Sequence, residues 1–300
     1  MNVLITGASG FVGGHLSRHL LCKGWSVTGL GTSRQPPQLP DGNYNWISAD
    51  TTRPGDWQKA VATADVIVNL AGRTIFKRWS NAYKQQLLDS RILTTRNLVA
   101  ALPPDSGKIF LSTSAVGYYG SRGEDILTEA SSPGADFLAD LSVTWEKEAQ
   151  AAGEKGARVA LMRFGIVLAA DGGALSKMVP AFRMFAGGPV GDGRHWFPWI
   201  HMADLIGAIE LLIDRKDLDG PFNLVAPNPQ RNVEFARTLG KVVGRPAMLP
   251  APAFMLRLLL GEVGGVLLSS QRALPERLLK AGFEFQYPEA VSALTDLLGP

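Results

Sequence analysis

Short apolar runs rich in β-branched residues alternate with longer stretches whose apolar positions recur every three or four residues. The runs predict strands at residues 2–6, 26–30, 44–48, 66–70, 108–113 and 158–164, and the longer stretches predict helices near 10–23, 57–62, 81–101 and 142–152. Such alternation reads as βαβ units, whose right-handed crossovers build an α/β, doubly wound parallel sheet with helices on both faces. After Phe164 the rhythm changes. Gly172-Gly173, Gly187-Gly188-Pro189 and the glycines at 191 and 193 break the chain into loops, where it is expected to leave the sheet and begin a cap. Residues 221–225 read as a late strand rejoining the sheet, and the chain from Asn232 onward reads as mainly helical.

Composition narrows this picture. At 300 residues and 46% apolar the chain can bury one large core plus a smaller subdomain. Charged residues are 19% of the chain with a net charge of +3 and no basic stripe, so no nucleic-acid partner is expected. Cys22, the single cysteine, cannot form an internal disulfide; within His19-Leu20-Leu21-Cys22 it is expected on a buried helix face, which favours a reducing compartment. The amino terminus enters a strand directly, and the apolar run from Phe254 to Leu260 is interrupted by Arg257 and closed by Gly261 and Glu262. No stretch reaches the roughly 20 apolar residues a spanning helix needs. The expectation is a cytoplasmic protein with no membrane partner, for which a homodimer is compatible.

Gly7-Ala8-Ser9-Gly10-Phe11-Val12-Gly13 lies directly between the first strand and the first helix. In that context Gly7 permits the tight turn, Gly10 lets backbone approach a pyrophosphate, and Gly13 lets helix and strand pack closely. The amides of Ser9, Phe11 and Val12 then face the phosphates at the helix N-terminus. The second strand ends in Gly31-Thr32-Ser33-Arg34, where an NAD-binding chain would carry a carboxylate for the ribose hydroxyls. Thr32, Ser33 and Arg34 suit a 2′-phosphate instead, so NADP(H) is expected and NAD(H) less so; the other reading of Arg34 is a solvated loop residue. Asp50 is a candidate for the adenine amino group or simply a turn former, and Leu70-Ala71-Gly72 ends the fourth strand where backbone passes the cofactor.

These residues, with Ser112-Thr113-Ser114-Ala115-Val116-Gly117-Tyr118-Tyr119-Gly120, Phe197-Pro198-Trp199-Ile200-His201 with Asp204, and Ala273-Leu274-Pro275-Glu276-Arg277 through Phe283, resemble the extended short-chain dehydrogenase/reductase superfamily. The similarity is closest to its epimerase-like branch, sometimes labelled sugar-nucleotide epimerase or cell-division-inhibitor-like. It implies a Rossmann-type domain of residues 1–168 with 203–227, and a smaller, mainly helical C-terminal substrate-binding cap of 169–202 with 228–300. It also implies a Ser, a Tyr and a Lys four residues after the Tyr as the proton-transfer group. That pair is missing. The helix before the sixth strand, residues 136–152, holds no tyrosine, and the five tyrosines carry Ser48, Leu87, Arg122, Gly123 and Val291 at the fourth following position.

Ser114 matches the superfamily's serine and, with Tyr119, is the catalytic candidate; Tyr118 is the other available phenol, with Arg122 or Lys77 as the cation. Both tyrosines also read as pocket walls. Arg163, ending the sixth strand, is expected to point into the cleft toward the cofactor. Arg73 to Trp79 combines three cations and two aromatics and reads either as an anion site or as an ordinary surface loop. His201 and Asp204 read as structural partners at the re-entry into the main domain, His195 and Trp196 as cap residues near substrate, and His15 and His19 as ordinary helix positions. Trp145-Glu146-Lys147-Glu148 reads as a solvated face. Two function classes follow: an NADP(H)-dependent epimerase or oxidoreductase acting on a small hydroxyl or carbonyl compound, a nucleotide sugar among them, or a catalytically silent NADP(H)-binding regulatory or scaffolding protein.

Overall fold

In a computed structural model describing residues 1–40 and 42–299, the first half of the chain runs β1 (Asn2–Thr6), α1 (Phe11–Cys22), β2 (Ser26–Gly31), β3 (Tyr44–Ser48), α2 (Lys59–Thr63), β4 (Val66–Asn69), α3 (Asn81–Ala100), β5 (Ile109–Ala115), β6 (Ile126–Leu127), α4 (Phe137–Gln150) and β7 (Arg158–Phe164). The second half runs β8 (Ile166–Ala169), β9 (Gly172–Gly173), α5 (Leu175–Arg183), β10 (Trp196–Phe197), β11 (Trp199–His201), α6 (Met202–Asp214), β12 (Gly220–Leu224), β13 (Gln230–Arg231), α7 (Asn232–Val243), α8 (Ala253–Leu260), α9 (Glu262–Val266), β14 (Arg272–Ala273), α10 (Glu276–Lys280) and α11 (Ala290–Leu298).

Seven strands form a parallel sheet in the order β12-β7-β5-β4-β1-β2-β3, the Rossmann-type arrangement expected from the strand and helix rhythm. Alternation along each strand divides its side chains between two cores. Val3, Ile5, Val66, Val68 and Leu111 pack against Leu16 and Leu20 of α1 and Leu205 and Ile209 of α6. Leu4, Ile67 and Phe110 pack on the opposite face with Val61, Leu98 and Ala149 from α2, α3 and α4. Strand order reverses between β1 and β4, so the loops leaving their carboxyl ends diverge and open the crevice in which such sheets bind ligands.

A third core gathers Leu175, Val179 and Phe182 of α5, Phe197, Trp199, Phe235 and Leu239, and Ala293 and Leu294 of α11. Main-chain bonds join this part to the sheet: Gly165 N–H to Leu224 O (3.0 Å), Ile166 N–H to Pro198 O (2.7 Å) and Ala226 N–H to Trp199 O (2.6 Å).

Two expectations are corrected. The helix expected from Ser142 starts at Phe137, because the Asp136 carboxylate accepts the Ala139 N–H and caps a first turn that the apolar spacing does not mark. Cys22 is exposed, not buried; it falls on the last turn of α1, past Leu20 and Leu21, which do face the core.

A methyl group at Gly13 would lie 2.3 Å from the Gly7 carbonyl oxygen and 2.7 Å from Ala8 Cα, both backbone atoms. Gly13→Ala is expected to cost about 1–3 kcal/mol, the range for overpacked positions. Thermal denaturation checks this, and an unchanged Tm would mean that α1 retreats from β1 without cost.

Candidate active site

The glycine loop is built as its sequence requires. Gly7 adopts φ 69°, and a Cβ there would meet Leu70 O at 2.9 Å. Gly10 opens α1 with no side-chain cap, and the first turn carries no acid. Gly14 N–H makes the first helical bond, to Gly10 O, which leaves the amides of Phe11, Val12 and Gly13 without helical partners. Open amides at the positive end of a helix dipole form a phosphate seat.

Around that seat stand the other predicted cofactor residues. Ser9 is exposed, and its Oγ lies 3.0 Å from where a Cβ on Gly31 would be, so the glycine loop faces the end of β2. Thr32, Ser33 and Arg34 continue from there, all exposed; Ser33 Oγ donates to Gln35 O (2.8 Å). Asp50 forms a turn, accepting Thr52 N–H (3.1 Å) and Thr52 Oγ–H (2.7 Å), and the hydroxyl bond holds its carboxyl below the usual range. Leu70 and Ala71 donate their N–H groups to Thr6 Oγ1 (3.2 Å each). Thr6 Oγ1 in turn donates to Asn69 Oδ1 (2.7 Å), and Asn69 Nδ2 donates to Thr95 Oγ1 (2.8 Å). This buried chain holds the ends of β1 and β4 against α3. Gly72 follows, exposed, where a Cβ would press the Arg91 guanidinium at 3.0 Å. Thr113 Oγ1, on the opposite face of β5 from Ser114, is buried with no partner. An orphaned hydroxyl, three open amides and an acid-free first turn fit a phosphate-bearing dinucleotide lying across the strand ends.

The catalytic candidates face inward. Ser114 Oγ donates to Glu146 Oε1 (2.6 Å). Tyr119 is fully buried; its hydroxyl donates to Asn223 Oδ1 (2.7 Å) and accepts from Arg163 Nη1 (2.9 Å). Burial pushes that phenol up to about 12, against the pull of Arg163. Arg163 is itself buried and gives Nε and Nη2 to the two oxygens of Glu146, each at 2.8 Å. Burial works against its charge, but Glu146 more than offsets this and raises its pKa. The expectation that Arg163 reaches into the cleft toward the cofactor is therefore corrected: its donors serve Glu146, Tyr119 and Glu129 O. Its guanidinium also lies 3.5 Å from the ring centroid of Tyr118, which is half-buried. The cation beside the phenols is thus Arg163; Arg122 pairs with Asp125 and Lys77 lies over Tyr83.

Glu146 is buried, where its Trp-Glu-Lys-Glu run alone reads as solvated, and the spacing along α4 carries the signal. Ala139, Ser142, Trp145, Glu146 and Ala149 are the buried stripe of α4, so the carboxylate sits among core positions. A second buried acid, Glu129, accepts N–H groups from Asn223 (3.0 Å) and Arg277 (3.3 Å), and its carboxyl is raised by burial. One and two turns before Glu146 on the same face stand Ser142 and Leu138. A Cβ at Gly117 would lie 3.5 Å from Leu138 Cβ, and Leu138 helps bound a cavity of about 260 Å³ with Trp79, Phe137, Glu262 and Val266. No tyrosine stands on α4, so the proton-transfer pair that the resemblance implies has no place on this helix.

The remaining candidates are distributed. The loop from Arg73 to Trp79 is folded on itself, with Tyr83 OH donating to Thr74 O (2.6 Å) and Trp79 Nε1 to Ile75 O (2.9 Å), while Arg73, Lys77 and Arg78 stay exposed. His201 caps α6 through Nδ1, which accepts Ala203 N–H (3.1 Å), and burial lowers its pKa. Asp204 accepts the N–H groups of Gln286 (2.7 Å) and Tyr287 (3.1 Å); both residues tie the C-terminal segment down. His195 is buried with Nε2 unpartnered, and Trp196 Nε1 donates to Glu124 (3.1 Å). His15 and His19 turn to different carboxylates, Asp171 and Glu210.

The profile of the NAD dependent epimerase/dehydratase family matches residues 3–224. The chain belongs to that family. Residues 251–297 match a domain of unknown function, DUF1731. The chain is 38% identical over 302 residues to an epimerase family protein, the chloroplastic SDR39U1 homolog of Arabidopsis thaliana, covering 99% of this chain and 87% of that one. A crystal structure of human epimerase family protein SDR39U1 (isoform 2) with NADPH superposes with a TM-score of 0.88 at 32% identity, covering 99% of both chains. A nucleoside-diphosphate sugar epimerase from Corynebacterium glutamicum superposes at 0.78 with 32% identity, over 100% of this chain and 58% of that one. The family and these likenesses support a nicotinamide-coenzyme protein of the oxidoreductase or epimerase kind.

Removing one partner of a buried ion pair strands the other. Glu146→Ala is expected to destabilise by about 3–5 kcal/mol, with much of the loss recovered on adding Arg163→Met. Denaturant unfolding measures both; a single-mutant loss under about 1 kcal/mol would place the pair with solvent-screened ones.

Proposed function

We propose that this protein is an NADP(H)-dependent oxidoreductase or epimerase acting on a small hydroxyl or carbonyl compound, with nucleoside diphosphate sugars as one candidate class. The observation that carries the reading is the uncapped start of α1, with Ser9 of its glycine loop against the end of β2 and Ser33 and Arg34 exposed just beyond. Arg34 stands where a carboxylate would repel a 2′-phosphate, which favours the phosphorylated coenzyme. The likeness to the human protein solved with NADPH supports the same preference, and the likeness to the Corynebacterium enzyme supports the sugar class. Bound there, the coenzyme supplies or accepts a hydride.

The proton is the harder half of such a reaction. With the hydroxyls of Ser114 and Tyr119 turned to interior partners, Tyr118 is the phenol that keeps access to the cleft, its ring held against Arg163. In this reading Tyr118 exchanges the proton, while Ser114 and Tyr119 position its loop through Glu146, Arg163 and Asn223. The second reading, a cofactor-binding regulatory protein without turnover, is favoured by the absence of any tyrosine from α4. Incubation of carbonyl compounds with NADPH deuterated at C4, and of nucleotide sugars with NADP+, separates them. Deuterium in a reduced product, or an epimerised sugar, supports the enzyme; coenzyme bound with neither outcome supports the second reading.

Tyr118→Phe is expected to lower turnover by about a hundredfold or more with NADPH affinity unchanged, the size of a lost general acid–base group. Tyr119→Phe should instead cost about 1 kcal/mol of stability, the worth of its hydrogen bonds. If Tyr119→Phe alone abolished turnover, the assignment would pass to Tyr119.

Arg34→Glu is expected to weaken NADPH at least about tenfold more than NADH, because it replaces a charge-assisted bond with repulsion. Titration by nicotinamide fluorescence reads both affinities; equal losses would remove Arg34 from the 2′-phosphate site.

A further inference from the structure

Large apolar side chains left in solvent gather in one neighbourhood. Met184 and Phe185 after α5, and Phe254, Met255, Leu258 and Leu259 on α8, are between 44% and 74% exposed. None of the residues of α8 is buried. Its four exposed apolar residues recur at i, i+1, i+4 and i+5, which places them on one stripe of the helix. The segments carrying these residues touch. Leu249 N–H donates to Gly187 O (3.2 Å) and Ala251 N–H to Pro189 O (2.9 Å), and the Arg245 guanidinium lies over the Phe185 ring at 4.7 Å. The start of α3 joins them through Lys84, paired with Glu262 at 2.6 Å just past α8.

Charge marks the same segments. Residues 65–89, 171–192 and 234–262 hold ten lysines and arginines against six aspartates and glutamates, while the rest of the chain holds 20 basic against 21 acidic residues. Lys77, Arg78, Arg183, Arg245 and Arg257 are all exposed. Apolar side chains set where cations outnumber acids are the composition of a face that sits in the headgroup layer of a negatively charged bilayer. A second copy of this chain is a poorer occupant, because a two-fold contact would bring the same cations together.

We propose that this face docks on an anionic membrane surface, with the stripe of α8 entering the headgroup layer and the flanking lysines and arginines meeting lipid phosphates. The attachment is peripheral: among the described residues no helix is long and apolar enough to cross a membrane. This departs from the sequence-based expectation of no membrane partner, which rested on the absence of a spanning segment. It also brings the cavity beside Glu262 and Val266 to the bilayer surface.

Co-sedimentation of the NADPH-bound protein with vesicles of phosphatidylglycerol and phosphatidylcholine in equal parts tests it, against vesicles of phosphatidylcholine alone. Binding is expected to the anionic vesicles only, falling about tenfold or more in about 0.5 M NaCl. Arg257→Glu should weaken it by about tenfold, and the double variant Leu258→Asp, Leu259→Asp should abolish it with Tm unchanged. Failure to sediment with anionic vesicles, equal binding to both kinds, or a double variant that binds as before would each overturn the proposal. So would a concentration-dependent dimer that the double variant dissolves while vesicles stay bare, since the face would then belong to a second copy.

Discussion

The ion pair between Glu146 and Arg163 is the interaction on which the centre of the molecule depends. Two charges out of water are tolerable only when geometry and extra hydrogen bonds compensate for lost hydration. Here the pair is bidentate, and each partner carries a further load: Ser114 bonds to the carboxylate, Tyr119 and the ring of Tyr118 to the guanidinium. Through it β5, α4, β7 and the loop after β5 are held in one arrangement. Asn223 and Glu129 extend the connection to β12 and to the start of α10.

That arrangement explains why catalysis is the difficult part of this family member. The hydroxyl of Ser114 is committed to the framework, and α4 carries no tyrosine to pair with a lysine. Most polar groups of this centre are partnered, with Thr113 Oγ1, one oxygen of Glu129 and His195 Nε2 among the buried exceptions. Such a centre holds a coenzyme and a loop in register well, and it leaves few groups free to move a proton.

Much of the sheet was legible because parallel strands buried on both faces read as continuous apolar runs, and because glycine, strand and helix occur in one fixed order around a phosphate seat. The loop from Gly7 to Gly13 and the late strand before Val225 were readable on those grounds. What escaped was pairing across long separations. Nothing local shows that Glu146 meets Arg163 or that Tyr119 meets Asn223, and a Trp-Glu-Lys-Glu run looks solvated until its place in the α4 stripe is weighed. The exposure of Cys22 and the early start of α4 escaped for a related reason: the last and first turns of a helix obey caps and crossing angles more than apolar spacing.

The junction between sheet and cap has a mechanical meaning. Gly165, Ile166 and Ala226 are stitched to Leu224, Pro198 and Trp199 by consecutive main-chain bonds, and such a seam behaves as a rivet, where enzymes that clamp their substrates have a hinge. The seam is made of backbone alone, so its hold does not depend on which side chains flank it.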